Sequence, residues 1–147
     1  MCFVLDMSNS RTTSSEELFA TVNFKGGELF YPSDDWEDFV SVILEWWSDS
    51  LQDLLSGRSA STKLRFMDGP YSLILSRIAC NPQLYSVLGR SERCPAEDTF
   101  LGDFSSEELI ISFNKMLSKY LLHVKSHYPK SSLFKKSLRL HYLPAPV

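Results

Sequence analysis

Carboxylates are missing from the last quarter of this chain, and basic residues are missing from an earlier stretch of similar length. Residues 109–147 hold seven Lys or Arg and no Asp or Glu, whereas residues 28–57 hold eight carboxylates and no Lys or Arg. The net charge of −3 over 147 residues conceals that division. Cysteine is scarce as well. Cys2, Cys80 and Cys94 are odd in number and widely spaced, which excludes a disulfide framework and points to a reducing compartment. No apolar run approaches the roughly 20 residues that a membrane span needs. The opening Met1-Cys-Phe-Val-Leu-Asp has neither the basic region nor the apolar stretch of a signal peptide. A cytoplasmic protein of one domain is expected, long enough to bury a core without staples.

Catalytic signatures are also missing. The chain has no Gly-x-Ser-x-Gly elbow, no phosphate-cradling glycine loop and no His-Glu-x-x-His. His123 and His127 stand four apart, a spacing that can grip a metal on a helix, but no carboxylate or cysteine lies near them in sequence. Histidines at the negative end of a helix dipole need no metal to explain them. Cys80 and Cys94 would need a positioned base to act as nucleophiles. No catalytic residue, metal or cofactor is therefore assigned.

What the chain does have is a long amphipathic segment at residues 33–55. Trp36, Val40, Ile43, Trp47, Leu51 and Leu54 recur at three- and four-residue steps, the period of a helix laying one face on a core. Pro32 bars anything upstream, Asp34 with Glu37 spells a capping box, and Gly57 follows as a stop. On the opposite side the helical step gathers Asp34, Asp38, Glu45, Asp49 and Asp53, with Val42 and Trp46 alongside. The bland interpretation is a solvated helix with Trp46 tucked under a loop. The sharper one is a binding face, in which carboxylates surround an aromatic anchor. A Trp at an interface centre can contribute about 2 kcal/mol or more, against about 0–1 for isolated rim charges.

The remaining elements follow in order. Residues 1–17 suggest a loosely ordered lead-in. A strand from Leu18 turns at Gly26-Gly27, which sets Phe24 opposite Leu29 and Val22 opposite Tyr31. Residues 63–67 and 71–78 alternate as a strand pair, with Leu64, Phe66, Tyr71, Leu73 and Leu75 on one face, and a third strand spans 84–88. Residues 89–103 have the composition of a loop. Ser105 and Glu108 make a capping box for a second long helix, whose core face is Leu109, Phe113, Leu117, Tyr120 and Val124. Residues 133–142 are basic and apolar by turns and fit either strand or helix; residues 144–147 are expected to fray. The order predicts an α+β fold, an antiparallel sheet of about five strands with two long helices packed on it.

Trp36-Glu-Asp-Phe-Val-Ser-Val-Ile-Leu-Glu-Trp-Trp together with Phe66-Met-Asp-Gly-Pro-Tyr71 resembles the small bacterial immunity proteins of contact-dependent growth inhibition and other polymorphic toxin systems. The likeness covers about residues 18–88 and implies a class: a non-enzymatic cytosolic inhibitor that binds one cognate toxin domain, commonly a nuclease. It carries over no residue roles. From the residues themselves, Asp38, Val42, Glu45, Trp46, Asp49 and Asp53 form the expected partner-binding set, suited to a basic toxin domain. The alternative is a small enzyme, or a nucleic-acid module using Lys115, Lys119, Lys125, Lys130, Lys135, Lys136 and Arg139. A pI near 5.6 and the acidic helix weigh against nucleic acid.

Overall fold

The computed structural model describes residues 2–14 and 16–145. It is α+β, built from two four-stranded antiparallel sheets and three helices, two of them long. The first sheet holds β1 (Phe3–Thr12), β2 (Leu18–Gly26), β3 (Leu29–Tyr31) and β4 (Glu37–Phe39), with β2 central. The long helix α1 (Val40–Leu55) follows. The second sheet runs in the order β5 (Ser61–Arg65), β6 (Tyr71–Ile78), β7 (Asn81–Ser91) and β8 (Thr99–Ser105). Helix α2 (Ser106–His127) and the short α3 (Ser132–Ser137) complete the chain. The predicted single sheet of five strands is thus two sheets. Among the described residues no helix is long and apolar enough to cross a membrane.

Three local departures explain the difference. The lead-in is strand β1, because Phe3 and Leu5 alternate into the core and pair with Phe24 and Val22. Its outer edge is covered by α2: Ser112 Oγ accepts the Phe3 N–H at 2.8 Å, and Lys119 Nζ donates to the Leu5 carbonyl at 2.8 Å. Those contacts satisfy backbone groups that would otherwise form an open edge. The loop expected at 89–103 shrinks, since β7 extends to Ser91 and β8 starts at Thr99. The hairpin turns on Gly27 and Glu28, so Phe24 pairs with Tyr31. That slip of two residues preserves the period-two pattern and leaves Phe24 and Tyr31 buried.

The second capping box forms as the sequence predicts: Ser105 Oγ accepts the Glu108 N–H at 3.1 Å. The first does not. Residues 37–39 pair with β2 instead, Phe39 opposite Phe19 and Asp38 opposite Ala20, and α1 begins at Val40 without a side-chain cap. Once begun, its buried face is Val40, Ile43, Trp47, Leu51 and Leu54. Trp47 joins the sheets through the core. Its ring lies 5.9 Å from Phe3 and 5.2 Å from Phe66, and its indole N–H donates to the Arg65 carbonyl at 2.8 Å. Phe3 in turn meets Phe113 of α2 at 5.6 Å.

The segment that fitted either strand or helix is α3 followed by extended chain. Asn114 holds that chain in place, accepting from the Leu143 N–H at 2.8 Å and donating to the Leu143 carbonyl at 3.0 Å. Pro144 and Ala145 are exposed, and the last two residues of the segment expected to fray lie outside the described residues.

Candidate binding face

Helical geometry turns Glu45, Trp46, Asp49 and Asp53 of α1 outward, all of them exposed, with Val42 half-buried beside them. Trp46 is 45% exposed, a large share for an indole. Glu45 and Asp49 form no ion pair among the described residues, whereas Asp53 is bound by Arg58 at 2.9 Å. Toward the helix N-terminus the apolar strip continues through Phe39, three residues before Val42. Phe39 packs edge-on against Phe19 at 4.9 Å, and the Arg11 guanidinium lies 4.6 Å from the Phe19 ring centre. This Phe19–Phe39 extension was hidden in the sequence because it requires knowing that β4 pairs with β2.

Asp38 does not belong to this face. Strand alternation points it opposite Ala20, into the interior, where it is fully buried. Its carboxylate accepts the Trp36 indole N–H at 3.0 Å, the Phe39 N–H at 2.7 Å and the Asp68 N–H at 3.1 Å. Burial raises its pKa above the usual carboxylate value, against the opposing pull of those three donors. The expectation that Asp38 contacts a partner is corrected: it ties the β5–β6 loop to the first sheet. Trp36 likewise leaves the helix for an aromatic cluster, 5.2 Å from Tyr71 and 6.3 Å from Phe66. The two stretches that carry the family resemblance therefore meet in space, in a structural role.

The acidic and basic segments lie side by side. A small cavity of about 130 Å³ separates α1 from α3, with Val42 and Glu45 on one wall and Lys136, Arg139 and Leu140 on the other. They are bridged by a residue of neither segment: Glu17 accepts from Lys136 at 3.3 Å and from Ser41 Oγ at 2.6 Å. Charge neutralisation within the molecule is thus partial, and Glu45 and Asp49 are left to solvent.

The features that would suit an enzyme are dispersed. Cys80 and Cys94 are exposed, and the best-formed cavities among the described residues are lined by neither of them nor by a histidine. His123 and His127 stack at 4.2 Å, Ser10 Oγ lies 3.1 Å from His123 Nε2, and burial followed by the charge of His127 lowers the His123 pKa. Among the described residues no three His, Cys, Asp or Glu side chains gather as a metal site. Of the basic set, Lys119 and Lys136 are engaged with Leu5 and Glu17, and the others divide between α2, α3 and the connecting turns.

Comparison of the chain with protein-family models, curated proteins and solved structures finds no match in any of the three.

Proposed function

We propose that this chain is an immunity protein that acts in the cytoplasm, binding a basic toxin domain through the outer face of α1 and so blocking it. The observation that carries this reading is Trp46, an exposed indole next to Val42 and flanked by two carboxylates, Glu45 and Asp49, without internal partners. An aromatic anchor supplies the apolar contact area on which interface affinity concentrates. Unneutralised carboxylates beside it speed the encounter with a positively charged partner and set its orientation. A nuclease fits the partner's role, because the cleft that binds phosphate is basic and an acidic helix can occupy it in place of nucleic acid. The resemblance of residues 18–88 to immunity proteins points the same way. Asp53 contributes less than its neighbours, since Arg58 already holds it.

The test is protection. Co-expression with a cognate toxin domain, to be sought as the C-terminal domain of a secreted protein encoded next to this chain, should rescue growth and yield a stable complex. A folded Trp46→Ala/Glu45→Lys/Asp49→Lys chain should do neither. Full protection by that variant removes the face from the reading; failure of the unaltered chain to bind or protect removes the function.

A further inference from the structure

A second site lies at the far end of α1. On β6, Leu73 and Leu75 point inward by strand alternation, and the next inward position is Arg77. Arg77 is half-buried there, and a guanidinium that is partly desolvated is favoured by a counter-charge. Arg77 has none: it forms no ion pair among the described residues. Its Nη2 donates to the Leu54 carbonyl at 3.2 Å and stands 3.5 Å from the hydroxyl of Tyr85, its cross-strand partner. Among the described residues the remaining nitrogens have no acceptor, and Nε is buried without one. Capping the negative end of α1 explains the Leu54 contact. It leaves most of the donor fork unused.

The residue faces a cavity of about 580 Å³ where the end of α1, the β6–β7 hairpin and the start of α2 converge. That volume is in the range of small-molecule sites. One part of its wall is apolar, from Leu55, Pro82 and Ile110; another is polar, from Gln52, Gln83 and Ser105. Glu107 also lines the cavity but is solvent-exposed and forms no ion pair with the guanidinium among the described residues. Tyr85 is almost fully buried, and its hydroxyl hydrogen has no acceptor among the described residues.

We propose that this cavity binds a small organic carboxylate with an apolar body, its carboxylate oxygens accepting from Arg77 and the Tyr85 hydroxyl and its chain lying against Leu55 and Ile110. A planar, two-oxygen acceptor matches the guanidinium fork, and only a ligand with an apolar end uses the rest of the wall. The site is separate from the outer face of α1 and does not depend on toxin binding.

Hexanoate and 1-hexanol, of equal chain length, separate the two halves of the claim. Titrated into the intact protein and followed by backbone amide shifts of Tyr85 and Ser106, hexanoate should bind roughly tenfold or more tighter than hexanol, as expected for a charge-assisted contact. Inorganic phosphate, which can meet the guanidinium but has no apolar body, should bind more weakly than hexanoate, and phosphate binding as tightly would overturn the role of the apolar wall. Arg77→Gln should bring hexanoate down to the level of hexanol, and Arg77→Lys should restore part of the difference. Equal binding of hexanoate and hexanol by the unaltered protein overturns the proposal and needs no variant. So does Arg77→Gln that folds and still prefers hexanoate.

Discussion

Asp38 and Asp68 stand thirty residues apart, yet the backbone N–H of Asp68 donates to both carboxylate oxygens of Asp38, at 3.1 and 3.2 Å. One buried side chain thereby joins the first sheet to the β5–β6 loop, while also receiving the Trp36 indole and its neighbour's amide. Asp38→Ala leaves three N–H donors without their acceptor. Each unsatisfied buried group costs about 1–3 kcal/mol. Partial rehydration of the loop reduces the sum, so the expected loss is on the order of 3 kcal/mol, read from urea unfolding midpoints.

The same residue fixes a pH dependence. Burial raises its folded pKa above the ordinary carboxylate value. A carboxyl raised on folding contributes stability that is fully present below the unfolded value and is lost as pH rises through the folded one. Asp38→Asn removes that titration and leaves every other carboxyl in place. The stability of the unaltered protein relative to Asp38→Asn should therefore be greatest near the acid limit and shrink as pH rises above about 4. Unfolding midpoints of both proteins across that range decide it; a difference that grows with pH would mean the hydrogen bonds, and not burial, set the pKa.

Gly26 and Gly27 are neighbours with opposite reasons for being glycine. A methyl group on Gly26 would collide with the Leu101 carbonyl, backbone against backbone, where β2 approaches β8. Gly27 faces open space, and only its φ of +61° disfavours a side chain. Gly27→Ala should cost about 1–2 kcal/mol, the penalty of a left-handed conformation. Gly26→Ala should cost more, upward of about 3 kcal/mol, because neither strand can yield without parting the sheets. Thermal unfolding of the two variants side by side checks the order.

How legible the fold was in the sequence varied with the range of the determining contact. Elements defined by their own pattern were plain: the buried stripe of α1 from Val40 onward, the Ser105–Glu108 cap, the alternation of β6. What was missed was decided by pairing across the chain. The Asp34–Glu37 capping signal is genuine locally, but pairing of residues 37–39 with β2 overrides it and turns Asp38 from the expected outer stripe to the interior. Phe3 and Leu5 sit in a stretch rich in Ser and Thr, and only α2 covering the β1 edge makes that stretch a core strand. Arg77 is inconspicuous in the sequence for a related reason. It looks like an ordinary strand terminus until the cavity before it is seen.

Trp46 and its flanking carboxylates should affect different rate constants in binding to the proposed toxin partner. An exposed indole beside Val42 makes contact only after docking, so Trp46→Ala should raise the dissociation rate, by roughly tenfold or more for an anchor of about 2 kcal/mol, and leave association nearly unchanged. Glu45 and Asp49 act before contact through the field they project, so Glu45→Gln/Asp49→Asn should slow association and flatten its dependence on salt. Asp53→Asn/Arg58→Gln should do little of either, since that pair carries no net charge. Asp38→Asn should leave both rates alone, its carboxylate being interior. Surface-based kinetics at two ionic strengths separates these cases. A Trp46→Ala chain that dissociates at the unaltered rate would take the anchor away from α1 and leave the carboxylates as steering charges only.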